Sequence, residues 1–233
     1  MKILIIGLGS MGKRRIRNLQ KLGYSEILGF DIQKTRRNES TKKYKIRTYD
    51  NVFDAISQKP QAIIISTPPD LHLKYALLAI KYNIDFFMEL NHSSKHVKQI
   101  IKKMKGKKLL AAPSCTMQYH PVVLELQKIL EKNIIGKILQ IHHYNGQNLA
   151  SWHPWENYKT FFVSKKETGG AKELVPFELN WIVHLFSKIK SVSSNVEKIS
   201  DLDVNIDDIY QIHTHFKNGI IGNLIFDVIA NPS

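Results

Sequence analysis

Residues 1–31 read MKILIIGLGSMGKRRIRNLQKLGYSEILGFD, and this stretch decides the fold. Lys2 to Ile6 is a short β-favouring apolar run, long enough for a strand buried on both faces. It ends in Gly7-Leu8-Gly9-Ser10-Met11-Gly12, a G-x-G-x-x-G. Lys13 to Leu22 then places Ile16, Leu19 and Leu22 on one helical face, and Gly23 closes the helix. A second strand, Glu26 to Phe30, ends in Asp31. Strand, glycine turn, helix and strand open a doubly wound α/β fold, and in that setting each glycine has a task toward a dinucleotide. Gly7 permits the tight turn, Gly9 lets the backbone approach a pyrophosphate, and Gly12 lets helix and strand pack closely. Ser10 and Met11 lie at the helix start, where free N–H groups and the helix dipole stabilise phosphate charge. Asp31 is placed to accept hydrogen bonds from the adenosine ribose hydroxyls, and its charge repels a 2′-phosphate. NAD is the expected cofactor. NADP stays possible because Lys34, Arg36 and Arg37 follow and could offset the acid. The same residues also read as solvated loop charges, and the glycines as a turn that holds no ligand.

The 233 residues suffice for one large domain or two small ones, with ample core either way. Hydrophobic residues at 43% and charged residues at 23% fit an ordinary globular chain rather than a disordered one. The net charge of +14 comes from lysines spread along the chain, with Lys102 to Lys108 as the densest run. No aromatic residues interleave that run, so no specific nucleic-acid partner is expected. A single cysteine, Cys115, excludes an internal disulfide and suits a reducing cytosol. Lys2 to Ile6 is too short for the apolar core of a signal peptide, and no apolar run reaches membrane-spanning length. A cytoplasmic protein without a membrane partner is the expectation.

Downstream the βαβ alternation continues. Asp50 to Ser57 reads as a short helix, Gln61 to Ser66 as a third buried strand, and Leu73 to Tyr82 as a helix. Asp85 to Glu89 is a short strand, Asn91 to Met104 a helix, and Lys108 to Ala112 a fifth strand. The first domain is thus an NAD(P)-binding Rossmann domain over 1–118, with a doubly wound parallel sheet. Val122 to Asn133 reads as a helix, Lys137 to Tyr144 as a strand, and Asn148 to Ser164 as a long loop. Glu173 to Phe186 is a helix, and Val192 to Ile199, Asp208 to Phe216 and Gly222 to Ile229 are strands. The second domain, 119–233, is therefore an α+β substrate and dimerisation domain with a mainly antiparallel sheet. It stops among strands, so a truncated domain is expected. Unpaired edges favour self-association, and a homo-oligomer is the expectation.

Beyond the glycine motif, Ser66-Thr67-Pro68-Pro69-Asp70-Leu71-His72, Glu89 after a strand, and Gln118-Tyr119-His120-Pro121 resemble the Gfo/Idh/MocA oxidoreductases. Trp152-His153-Pro154-Trp155-Glu156-Asn157-Tyr158, and Gly169-Gly170 followed by Phe177-Glu178-Leu179-Asn180-Trp181, resemble a branch associated with surface-sugar biosynthesis. The resemblance implies an NAD(P)-dependent enzyme that oxidises a sugar or nucleotide-sugar by hydride transfer. It implies that Thr67 and Pro68 line the nicotinamide half of the cofactor, with His72 and Glu89 beside it. Pro68-Pro69 also reads as a plain rigid turn, with His72 capping the next helix. Tyr119 and His120 would face the sugar; Trp152 and Trp155 would stack on it, with His153 and Glu156 hydrogen-bonding its hydroxyls. An aromatic-anchored loop packed on the sheet is the alternative for that cluster.

Two departures matter. The family's Glu-Lys-Pro reads Glu89-Leu90-Asn91 here, and Phe177 stands where its catalytic histidine is expected. Oxidising a secondary alcohol needs a group that takes the hydroxyl proton as hydride leaves. Leucine and phenylalanine cannot. Glu173 stands where an aspartate is common and Asn180 replaces a further aspartate. His92, His120 and Lys172 are the candidate substitutes; Lys172 and Glu173, beside the Gly-Gly pair, form an acid–lysine pair that could titrate in a usable range if buried, though most such pairs are exposed. The alternative is a non-catalytic dinucleotide-binding relative, a sensor or degenerate copy. His213 and His215 share one strand face without a third ligand nearby, so no metal is expected.

Overall fold

The computed structural model describes residues 1–90, 93–152, 154 and 156–231, and the chain divides into two compact units, Met1–Ser114 and Cys115–Ser233. The expected boundary lay four residues further along, after Gln118. No helix among the described residues is long and apolar enough to cross a membrane.

The first unit is a parallel sheet of six strands in the order β3-β2-β1-β4-β5-β6. Its strands are β1 (Ile3–Ile6), β2 (Ile27–Phe30), β3 (Arg47–Tyr49), β4 (Ala62–Ile65), β5 (Asp85–Met88) and β6 (Ala111–Pro113). The helices are α1 (Ser10–Lys21), α2 (Lys34–Tyr44), α3 (Val52–Ser57), α4 (His72–Tyr82) and α5 (Ser94–Met104). Near-continuous apolar strands such as ILII in β1 are what a sheet covered on both faces requires. Alternate residues serve opposite layers. Leu4 and Ile6 join Leu28, Phe30, Ile63, Ile65, Ala76 and Ile80 on one face. Ile3 and Ile5 join Leu8, Ile16, Ile27 and Tyr44 on the other.

Two elements depart from the sequence reading. α2 and β3 lie in a stretch that shows no periodic signal, because of the helix KTRRNESTKKY only Ser40 and Tyr44 are buried. Gln61 to Ser66 is therefore the fourth strand, not the third. The run at 108–112 holds the sixth, and only Ala111–Pro113 pairs with β5, through Phe86↔Ala111 to Met88↔Pro113.

The second unit holds α6 (Pro121–Glu131), β7 (Gln140–Gly146), α7 (Leu174–Phe186), β8 (Ile189–Glu197), β9 (Ile209–Phe216) and β10 (Ile221–Asp227). Three short 3-10 turns occupy the expected loop at Leu149–Ser151, Tyr158–Thr160 and Phe162–Ser164. The sheet order is β7-β10-β9-β8, with β7 parallel to β10 and the other pairs antiparallel. Leu149, Trp181, Ile182, Ile206, Phe216, Leu224 and Phe226 form the core.

The tightest packing in the first unit is at the glycine turn. A Cβ on Gly12 would sit 1.9 Å from the Gly7 carbonyl oxygen, and one on Gly7 2.6 Å from that of Ser66. Gly7 also has φ +92°, outside the range of ordinary side chains. Gly12→Ala must push α1 off β1, and we expect a loss of at least about 3 kcal/mol, read as a lowered urea midpoint.

Candidate functional site

In open parallel sheets, ligands lie beyond the carboxyl ends of the strands where the strand order reverses. Here that point falls between β1 and β4, at the glycine turn. Gly9 is the N-cap of α1, no side chain caps its N–H groups, and its first turn holds no acid. Space over Gly9 is open: a Cβ there would meet only Arg36 Nη1, at 3.7 Å. Uncapped N–H groups beside open space suit a phosphate.

Asp31 is 5% exposed, and its carboxylate ties the turn to the end of β2. Oδ2 accepts the Leu8 N–H at 2.8 Å, and Oδ1 accepts that of Gln33 at 2.8 Å. Arg36 Nη1 stands 3.8 Å from Oδ2, so the acid at this edge is faced by a cation. Across the switch point, Thr67 Oγ1 is buried with no hydrogen-bond partner. Pro68 caps the 3-10 turn Pro69–Leu71 that leads into α4. His72 is fully buried, and its Nε2–H donates to the Thr67 carbonyl at 2.8 Å. Burial lowers its pKa, against the Thr67 bond and the charges of Glu89 and Asp70, so the ring stays neutral at pH 7. Buried polar atoms without partners, a Cβ-free cradle and bare helix N–H groups together fit a dinucleotide.

Glu89 follows β5 and is fully committed. Arg15 of α1 grips it at 2.7 Å (Nε to Oε1) and 2.8 Å (Nη2 to Oε2), and the Ser66 hydroxyl donates to Oε1 at 3.4 Å. The guanidinium also reaches Ser114 Oγ at 3.3 Å and lies 4.8 Å over the Phe87 ring. Glu89 is thus the anchor that joins α1 to the ends of β4, β5 and β6. His92 lies outside the described residues.

In the second unit, Tyr119 is 75% exposed and His120 caps α6, its Nδ1 accepting the Val122 N–H at 3.3 Å. Gln118 Nε2 donates to Asn180 Oδ1 at 2.9 Å. Lys172 is partly exposed on the 3-10 turn Gly170–Glu173 that leads into α7. Trp152 Nε1 is buried without a hydrogen-bond partner, and Glu156 is partly exposed. His153 and Trp155 lie outside the described residues. His213 Nδ1 is 2.6 Å from Asn223 Oδ1, and the described residues hold no cluster able to bind a metal ion.

One buried network was missed from sequence. Glu178 accepts Trp181 Nε1–H at 2.7 Å and Asn145 Nδ2–H at 2.7 Å, and His143 Nε2 stands 3.0 Å away. Burial acts to raise its pKa, but these three contacts prevail and hold the carboxyl below its ordinary value. Glu178 and Trp181 are one helical turn apart and His143 and Asn145 alternate on β7. The spacing was visible; the pairing across elements was not.

A parallel sheet that reverses order at an uncapped glycine turn, followed by an α+β unit, defines an NAD-binding Rossmann protein with an appended second domain. An oxidoreductase-family model with an NAD-binding Rossmann fold matches residues 1–114, and the GFO/IDH/MocA C-terminal domain model matches residues 123–233. The chain belongs to the Gfo/Idh/MocA oxidoreductase family. It is 24% identical over 205 residues to Oxidoreductase P35 of Formosa agariphila, covering 79% of this chain and 60% of that protein. The chain thus spans about 60% of the length of this curated relative. The fold is shared with myo-inositol 2-dehydrogenase from Lactobacillus plantarum, at TM-score 0.86 and 19% identity, over 99% of this chain and 70% of that one. It is also shared with the WlbA dehydrogenase of Chromobacterium violaceum, solved with NADH and UDP-GlcNAcA, at TM-score 0.87 and 14% identity, over 100% and 68%.

Arg15→Met leaves the partly buried Glu89 with only the Ser66 hydroxyl as a partner. We expect a loss of about 3–5 kcal/mol, measured by chemical denaturation, with much of it regained in the Arg15→Met/Glu89→Leu double variant.

Proposed function

We propose that this chain is an NAD(P)-dependent oxidoreductase that acts on a hydroxyl of a sugar or nucleotide-sugar. The observation that carries the reading is the open, uncapped α1 N-terminus above Gly9, at the sheet's switch point. Gly7, Gly9, Ser10, Met11 and Gly12 hold the pyrophosphate through backbone N–H groups. Asp31 and Arg36 stand at the adenosine ribose, and Thr67, Pro68 and His72 line the nicotinamide half. His72 fixes the Thr67 carbonyl, which leaves the Thr67 hydroxyl free to bond the carboxamide. Glu89, locked to Arg15, keeps the ends of β4, β5 and β6 in place at this edge of the sheet. The dinucleotide, when bound, supplies hydride transfer. Tyr119, His120, Trp152, His153, Trp155 and Glu156 are the substrate-side residues of this reading. A polyol dehydrogenase and a nucleotide-sugar dehydrogenase among the proteins of like fold support that substrate class. Exposure along most of β8, at the sheet edge, supports a homo-oligomer.

The second reading, a non-catalytic dinucleotide binder, rests on Leu90 and Phe177 in place of proton-transfer residues. It also gains from His120, whose Nδ1 is occupied as a helix cap.

Titration with NADH by fluorescence tests the cofactor site. Gly9→Val, with open space at its Cβ, should keep the melting temperature within a few degrees and abolish NADH binding; retained affinity overturns the site. Single-turnover mixing of the NAD-loaded protein with sugars and nucleotide-sugars then separates the readings, since the enzyme must form NADH and the sensor must not.

Cofactor choice has its own test. Arg36→Ala should weaken NADPH about tenfold, the worth of one charge-assisted contact, and change NADH less than about twofold. Equal losses for both would reject Arg36 as the residue that admits a 2′-phosphate.

A further inference from the structure

We propose that the outer face of α5, with the turn that follows it, docks the chain onto a bilayer surface of anionic lipid. The inference is independent of the reaction assigned above and lies wholly within the first unit.

The two units do not share the chain's positive charge. Residues 1–114 hold 23 Lys and Arg against 8 Asp and Glu, and residues 115–233 hold 11 against 12. Such an imbalance between halves points to a polyanionic partner. Within the first unit the cations fall on two faces, and the faces differ. On α1 and α2, Lys13, Arg15, Arg36 and Arg37 each stand at a carboxylate. On α5 and its turn, the seven lysines from Lys95 to Lys108 are all exposed, and none has an ion-pair partner among the described residues. No acid occurs in the sequence between Glu89 and Glu125. Lys102 and Lys103 lie in the last turn of α5 and answer its dipole; the other five are not needed for that.

Helical spacing arranges this face in two stripes. Ile100 is buried and packs with Met104 against the sheet. Val97 and Ile101, four residues apart, lie beside them and are 37% and 64% exposed. Lys98, Lys102 and Lys105 follow the same spacing on the next strip of surface. The apolar stripe is therefore wider than the sheet covers, and its uncovered part runs along a row of ammonium groups. Beyond the helix, Gly106 takes φ +80° and the Lys107 N–H returns to the Met104 carbonyl at 2.9 Å. That turn keeps Lys107 and Lys108 at the end of α5.

An aliphatic ridge beside lysines matches the boundary between headgroups and acyl chains. Val97 and Ile101 enter it, and the lysine stems lie along it while their ammonium groups stay at the phosphates. A nucleic acid fits less well. The run holds no arginine for bidentate phosphate contacts and no aromatic side chain for base stacking. Exposed Ile101 beside unpaired lysines replaces the expectation of a chain with no membrane partner. The association is peripheral, because no helix among the described residues is long and apolar enough to cross a membrane.

Flotation with lipid vesicles tests the inference. At low salt the protein should float with phosphatidylcholine vesicles containing about one third phosphatidylglycerol, and should be released as salt rises. Vesicles of phosphatidylcholine alone should leave it behind. Lys98→Gln/Lys102→Gln/Lys105→Gln should weaken vesicle binding at least about 30-fold, because each ammonium near an anionic surface contributes separately. The charge-matched control on α2 and its cap, Lys42→Gln/Lys43→Gln/Lys45→Gln, should change it less than about threefold. Ile101→Ser keeps every charge and should weaken binding about fivefold. All three variants should hold NADH affinity within about twofold, since none touches the glycine turn. Equal loss in the two triple variants would mark net charge alone, and duplex DNA binding without vesicle binding would mark a nucleic-acid site. Unchanged binding by Ile101→Ser would remove the aliphatic seat. Each of these overturns the inference, as does no flotation with the anionic vesicles.

Discussion

The first unit depends on the closeness of α1 to the end of β1. Gly12 lies directly against the Gly7 carbonyl, and that contact fixes where the first helical turn begins. Two further ties rest on it. Asp31 can reach the Leu8 N–H because the turn is held against the sheet, and Arg15 can reach Glu89 because α1 leaves the turn at this height. A helix set farther out would lose both ion-binding edges at once. The anion site and the anchor of the strand ends are thus consequences of a single packing distance.

Three glutamates show how environment separates roles for one side chain. Glu89 is partly buried and held by a bidentate arginine. Glu178 is buried with three donors in reach and is held below its ordinary pKa. Glu173 has one oxygen, Oε2, buried without a hydrogen-bond partner, and burial pushes the carboxyl up to about 7. The first two spend their lone pairs on architecture. The third has an oxygen that no hydrogen bond claims.

Much of this was legible in the sequence. Apolar strands of the parallel sheet announce themselves because both faces are buried, and the glycine spacing marks the turn between β1 and α1. Helix α2 was invisible because its face toward the sheet is built from Ser40 and Tyr44 instead of a stripe of aliphatic residues. β3 is three residues long and starts with an arginine. The site was read unevenly for a related reason. Asp31 and the glycines act locally, whereas the partners Arg15 and Glu89, or His143 and Glu178, are far apart in the chain, and nothing in either stretch names the other. Lys172 and Glu173 read together as an acid–lysine pair, but burial depends on packing between distant segments, and the sequence does not tell how deeply one oxygen of Glu173 is shielded.

The mixed sheet of the second unit joins strands at very different separations along the chain. β9 and β10 meet across the short turn at Lys217-Asn218-Gly219, where Gly219 takes φ +91° and its N–H returns to the Phe216 carbonyl. That hairpin closes with little loop entropy, and β8 adds to it through the 198–208 connection. β7 pairs with β10 in parallel, and α7, β8 and β9 all lie between them in the chain. Loop closure over that span must be met before any of the seven register pairs forms, so the β7–β10 pairing carries the largest closure cost in this sheet. His143 and Asn145 sit on that strand. Until β7 is in place, Glu178 has only the Trp181 N–H of its own helix, and the donors that complete its set come with that strand.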